Sequence, residues 1–136
     1  MILKIVFHER PKTANRMYRK GKGARIFLST KHKGYKAGIA WAASEAITRS
    51  GLKTLYPWAG PVSISIDYFF ADRRRRDCNN FDKPIFDALN GVVYKDDAQV
   101  GNNFDGVGFR ATFAKYLDRE NPRVEIIVDT EPRRGI

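Results

Sequence analysis

The sequence is short of several things. A single cysteine, Cys78, rules out an internal disulfide and agrees with a reducing compartment. Only two histidines, His8 and His32, accompany it, so no His/Cys cluster is available for zinc. No apolar run approaches the ~18 residues needed to span a bilayer, which excludes a membrane helix. The opening MILKIVF is too short for a signal-peptide core and lacks a cleavage pattern. Neither a Gly-rich Walker loop nor a Ser-His-Asp pattern is visible. These absences leave a cytoplasmic chain with no membrane partner. Acid is also scarce in one place: Arg10 to Lys36 carries ten Lys/Arg and no Asp or Glu.

What is present is positive charge. The formal net charge is +10 on 136 residues. Such a field repels like copies and attracts polyanions. Nucleic acid is the first partner to consider, because each neutralised phosphate releases counterions. The length suits one domain, residues 1–136, with 131–136 as a flexible tail.

The pattern along the chain alternates between the two main periodicities. Ile2 to Phe7 reads as a strand, and RPKTANRMYRKGKGAR as a mobile basic loop. A helix capped by Ser29-Thr30 places Tyr35, Ile39, Ala42, Ala43, Ala46 and Ile47 on one stripe, ending at Gly51. Trp41 lies off that stripe, covering a core edge or meeting a second subunit. VSISIDYFF alternates with Val62, Ile64, Ile66, Tyr68 and Phe70 inward. Phe81 to Leu89 reads as a second helix, with Asn79 or Asn80 as its cap and Pro84 close to its first turn. Val107 to Leu117 and Arg123 to Asp129 read as two strands of a closing hairpin. The expected fold class is α+β: two layers, a mixed sheet of about four strands, and two main helices on one face.

Chemistry concentrates in RRRRDCNNFDKPIFDALNGVVYKDDAQV, Arg73 to Val100. Asp77 and Asn79 are two apart, so in extended chain both leave one face about 6.5–7 Å apart and can reach one cation. Cys78 then points away as a small buried hydrophobe. Asp96 and Asp97 return after a helix and a short strand. A hard oxygen site for Mg²⁺ needs only one or two carboxylates plus phosphate and water. Beside a basic groove, such a site suits phosphodiester hydrolysis. Lys83 either stabilises charge on the phosphate or simply pairs with Asp87 four residues on. Asp96 either adds a ligand or caps a turn. Arg73, Arg74, Arg75 and Arg76 are expected to hold phosphate backbone. Phe69 is either half-buried or a wedge that unstacks bases.

Asp72-Arg-Arg-Arg-Arg-Asp77, then Asn80, Lys83, Phe86-Asp87-Ala88-Leu89 and Asp96-Asp97-Ala98-Gln99-Val100, resembles the RusA family of Holliday junction resolvases, often encoded by prophages. Asn15-Arg16, Tyr18-Arg19, Ser29 and Tyr35 resemble that family's basic amino-terminal segment. The likeness covers about Pro11 to Val100, and the later strands match in pattern only. It implies a homodimeric, Mg²⁺-dependent endonuclease, with Mn²⁺ able to substitute and no organic cofactor. Its substrate would be the four-way DNA junction, in a nucleoid-associated setting. The family's three metal-binding aspartates and assisting lysine carry over to Asp77, position 79, Asp97 and Lys83, with Asp96 as an additional acidic position. Asn15, Arg16, Tyr18, Arg19, Lys20, Lys22 and Arg25 become DNA-binding expectations alongside the arginine run. Asn79 departs from the family's usual Asp and removes one negative charge. The alternative function is a binding module for branched DNA or RNA that does not cut.

Overall fold

A computed structural model of the chain describes every residue except 14–17, 21–25, 29, 75, 77, 78, 102, 105, 106, 132, 135 and 136. For 18–20, 26–28, 30–33, 79, 103, 104, 107, 133 and 134 it describes the backbone alone. In chain order the elements are β1 (Ile2–Phe7), β2 (Tyr18–Lys20), β3 (Ile26–Leu28), α1 (Thr30–Ser50), β4 (Ser63–Phe70) and α2 (Asn79–Leu89). After them come β5 (Asn103–Phe104), β6 (Val107–Gly108), β7 (Ala111–Leu117), β8 (Arg123–Asp129) and β9 (Arg133–Arg134).

Four strands form the main sheet in the order β1-β8-β4-β7. β8 runs antiparallel to both β1 and β4, whereas β4 and β7 are parallel. A parallel pair needs a crossover, and α2 lies in the one between β4 and β7. β1, α1 and β4 make a wider crossover with β8 inserted between the two strands. Leu3, Ile5 and Phe7 of β1, Ile64, Ile66, Tyr68 and Phe70 of β4, and Val124, Ile126 and Val128 of β8 join the two helices in one buried cluster. Both helices therefore cover the same face of the sheet, as the α+β expectation required.

Helix α1 buries Tyr35, Ile39, Ala43 and Ile47 and half-buries Ala42 and Ala46, the stripe read from helical spacing. Gly38 lets that stripe approach β1, since a Cβ there would fall 2.6 Å from the Phe7 ring. Gly51, at φ 76°, takes the left-handed conformation that ends the helix. Trp41 stands 74% exposed and so covers no core edge. Helix α2 buries Phe81, Ile85 and Leu89, and it begins at Asn79, two residues earlier than the pattern suggested. The helix thus starts at the Asn79-Asn80 pair expected as its cap. Pro84 falls in the second turn, where its missing N–H leaves the Asn80 carbonyl without the usual donor.

The closing hairpin is not there. β7 and β8 are consecutive in sequence but lie on opposite sides of β4. The connection at 118–122 passes over the end of β4, where Asp118 N donates to Phe70 O at 2.8 Å. It must span two strand spacings, about 9.6 Å, which five residues do with ease. Alternation reports which face a residue takes and says nothing about which strand lies beside it. The run Val107 to Leu117 is also broken, at Phe109-Arg110. β6 belongs to a separate three-stranded sheet with β5 and β9, and only Ala111–Leu117 joins the main one. The tail at 131–136 contributes β9 to that small sheet. The basic segment read as a loop contains a ladder, with Tyr18–Lys20 paired to Ile26–Leu28.

Candidate active site

Helix α2 is the platform, and the turn after it is held by a dense set of hydrogen bonds. Gly91, at φ 79°, reverses the chain after α2. Tyr94 then returns beneath the helix, fully buried, with its hydroxyl donating to Phe86 O at 2.9 Å. Burial pushes that hydroxyl's pKa well up, and the nearby Asp97, Asp87 and Asp96 act in the same direction. Above Tyr94 a short 3₁₀ turn, Asp97–Gln99, presents the acidic pair.

Asp96 caps this turn. Its Oδ1 accepts from Ala98 N at 2.9 Å, and the Gln99 side chain closes a capping box. Gln99 does more than cap. Its Oε1 accepts from Lys95 N at 2.9 Å and Asp96 N at 3.0 Å, while its Nε2 donates to Trp58 O and Gly60 O, both at 2.7 Å. All four bonding positions of the amide are filled. The acidic turn is thereby fastened to the loop between α1 and β4, about 40 residues away in sequence, and Val62 N adds a backbone bond to Gln99 O at 2.9 Å. Sequence reasoning gave Gln99 no role of its own. Its i+3 spacing from Asp96 could have signalled the box; nothing local could have signalled Trp58 and Gly60.

Asp97 is exposed on this rigid turn. Its carboxyl titrates above the ordinary range. Desolvation is the main cause, followed by a hydrogen bond with Asp96 and repulsion from Asp96 and Asp87; a hydrogen bond from Asn90 partly offsets them. The carboxylate thus sits in an excess of negative charge. Asp87 is better supplied: Lys83 Nζ lies 3.3 Å and Lys36 Nζ 3.7 Å from its Oδ2. Lys83 makes the i,i+4 pair that its spacing predicted, with its side chain 57% exposed.

The arginine loop precedes α2. Asp72 organises it, accepting from Arg74 N at 3.0 Å and pairing with Arg76 at 2.7 Å. These donors, Arg74 N–H first, hold the Asp72 carboxyl below its ordinary range. Arg76 turns inward. Its guanidinium lies 4.3 Å from the Phe70 ring centre and donates to Asp72 O at 3.1 Å. Arg73 and Arg74 are exposed. The run of four is therefore not uniform: Arg76 builds the loop, and Arg73 and Arg74 are presented from it. Phe69 is half-buried, with Arg123 over one face and Tyr116 stacked on the ring.

Of the expected ligands, the structure describes Asp96 and Asp97 in full and Asn79 by its backbone, and Asp77 lies outside the described residues. Asp96 and Asp97 are brought together with Asp87 and Asn90, and Lys83 joins them through Asp87. Asn79 stands at the other end of α2, about 12 Å along the axis from Asp87. Among the described residues no group of three His, Cys, Asp or Glu side chains is arranged to hold an ion. The oxygen donors at Asp97 and their surplus negative charge fit a hard divalent cation. Arg73, Arg74, Arg76 and Phe69 of the DNA-binding expectations are placed as above. Tyr18, Arg19 and Lys20 are strand residues of β2, and Asn15, Arg16, Lys22, Arg25 and Arg75 lie outside the described residues.

Comparison with known proteins agrees with the motif. The family model described as endodeoxyribonuclease RusA matches residues 9–129. The crossover junction endodeoxyribonuclease RusA of Escherichia coli K12 is 38% identical over 91 residues, 66% of this chain and 70% of the relative. The proteins of the same name from Shigella sonnei and Enterobacteria phage 82 are each 37% identical over the same shares. With most of its length matched, from just beyond β1 to the last residue of β8, the chain belongs to the RusA family of endodeoxyribonucleases.

Proposed function

We propose that the protein is a crossover junction endonuclease that binds four-way DNA junctions as a homodimer and cuts them by Mg²⁺-assisted phosphodiester hydrolysis in the nucleoid-associated cytoplasm. The relatives' printed activity supports the reaction class. The single observation that carries it is the family match over residues 9–129, with Asp96 and Asp97 presented on the capped turn after α2. A bound divalent cation relieves the repulsion on Asp97 from its acidic neighbours. Asp77, Asn79 and Asp97 would hold the ion, with Asp96 beside them. Such an ion supplies activated water and charge neutralisation on the phosphate.

The chain's own groups do the rest. Lys83 exchanges Asp87 for the phosphate under attack and stabilises its developing charge. Arg73 and Arg74 hold flanking phosphates, and the Arg10 to Lys36 segment extends the positive field along the arms. Two copies related by a two-fold axis suit a junction cut on two opposed strands. Asn79 offers a neutral amide oxygen in place of a carboxylate, so metal affinity and cutting fall while DNA binding survives. That residue favours a second reading, a junction binder that does not cut.

A synthetic four-way junction with Mg²⁺ tests both. Paired, symmetric nicks by the chain, rising in the Asn79→Asp variant, are expected. Junction binding without nicks from either protein, at any Mg²⁺ or Mn²⁺ level, leaves the non-cutting reading.

A further inference from the structure

On the sheet face away from the helices, one rung crosses three strands. Phe69 of β4 is in register with Tyr116 of β7 on one side and Arg123 of β8 on the other. The Arg123 guanidinium lies 3.8 Å from the Phe69 ring centre. Tyr116 stacks on Phe69 at 4.9 Å between centroids and 19° between planes. Arg123 is itself fixed, by Glu125 at 2.6 Å, Asp118 at 2.8 Å and the Asn121 carbonyl at 2.9 Å. The rung is therefore a rigid stack of cation, ring and ring. Phe69 is half-buried between these two strand neighbours. Tyr116 is the outer member, 48% exposed, on a strand that among the described residues pairs with β4 alone.

Tyr116 also lines a cavity of about 280 Å³, together with Asp72, Arg73, Arg74, Arg76 and Lys115. Lys115 Nζ donates to Arg76 O at 2.6 Å and ties β7 to the arginine loop. Tyr116 and the exposed Arg73 and Arg74 thus border one opening, with the Asp72 carboxylate 3.9 Å from Arg74 Nε. The combination matches one nucleotide: a base for the ring and phosphates for the arginines. Only a base that has lost its own stacking partner gains from such a ring, so an intact duplex is the wrong ligand and a branch point is the right one.

We propose that Tyr116, backed by Phe69 and Arg123, is the stacking platform for a nucleobase unstacked at the DNA branch, with Arg73 and Arg74 seating its flanking phosphates. This rests on the branched-DNA reading above. The experiment is metal-free titration of the full chain and its Tyr116→Ala, Tyr116→Thr and Tyr116→Phe variants. The probes are a four-way junction carrying 2-aminopurine at the branch and a linear duplex of equal length, across a salt series. Expected is a loss of junction affinity on the order of 10-fold in Tyr116→Ala and Tyr116→Thr. Duplex affinity and the salt slope should stay unchanged, with recovery in Tyr116→Phe and brighter 2-aminopurine at saturation without the ring. Tyr116→Thr keeps a strand-forming residue, so agreement of the two truncations with unchanged melting temperatures excludes misfolding as the cause. The proposal is overturned if junction affinity is unchanged, if junction and duplex weaken equally, or if the truncations alter the oligomeric state, which would make Tyr116 a subunit contact. Should the unsubstituted chain show no preference for the junction, the functional reading above fails as well; preference retained by Tyr116→Ala sinks the platform alone.

Discussion

Asp72 and Asp97 are both exposed or half-exposed carboxylates at the edge of α2, and they titrate in opposite directions. Asp72 is satisfied from within: the Arg74 N–H and the Arg76 guanidinium hold its pKa down. Asp97 is pushed up by desolvation and by Asp96 and Asp87. One acid shapes a loop, and the other is left in need of positive charge. The first carboxylate is paired by its own loop; the second is positioned by its neighbours, and among the described residues its nearest charged ones are acidic.

The comparison breaks most sharply at Asp97. Asp97→Asn should reduce junction cleavage to background while leaving metal-free junction binding intact, whereas Asp72→Asn should weaken binding and spare metal response. A nuclease assay paired with a gel shift in EDTA reads both. Next in size is Asn79→Asp, expected to raise Mg²⁺-dependent cleavage and to lower the Mg²⁺ concentration giving half-maximal rate. Gln99→Ala should follow. Freeing two carbonyls and two N–H groups at a partly buried joint costs about 1–3 kcal/mol by denaturant unfolding. It should also raise the metal midpoint about 10-fold, as displacement of a ligand's supporting residue does. An unchanged midpoint with lowered stability would mean that Gln99 braces the loop without positioning Asp97. Arg74→Ala should reduce the dependence of log affinity on log salt by about 1, the signature of one lost phosphate contact.

The smallest effect is on stability against pH, and its sign separates the two acids. Asp97 has a folded pKa above its unfolded value, so the folded chain holds that proton to higher pH. Its contribution is favourable at low pH and is lost as pH rises from about 3.8 through the folded value. Asp72 behaves oppositely, contributing above its unfolded pKa and losing that contribution as pH falls through the depressed one. Metal-free Asp97→Asn should therefore flatten the acid-side rise in melting temperature on lowering pH, and added Mg²⁺ should stabilise the parent chain but not this variant.

Spacing alone carried much of the fold. The buried stripe of α1 from Tyr35 to Ile47 and the alternation of β4 were legible because each residue's burial follows from its own position on a helix or strand. At the site, the Lys83–Asp87 pair and the capping reading of Asp96 were legible for the same reason, since their partners are three or four residues away or fewer. What failed required neighbours distant in sequence. β8 pairs with β1 and β4 rather than β7. Trp41 is left uncovered. Gln99 reaches across about 40 residues to Trp58 and Gly60.

The sequence by itself determined the α+β class, the family and the residue types able to meet a cation and a phosphate chain, because periodicity and charge are local properties. Only the tertiary structure decided which of the described arginines face outward, which acid has acidic neighbours and which aromatic ring stays half-exposed. Those outcomes depend on what a side chain meets once distant strands are packed, and no spacing along the chain encodes that meeting.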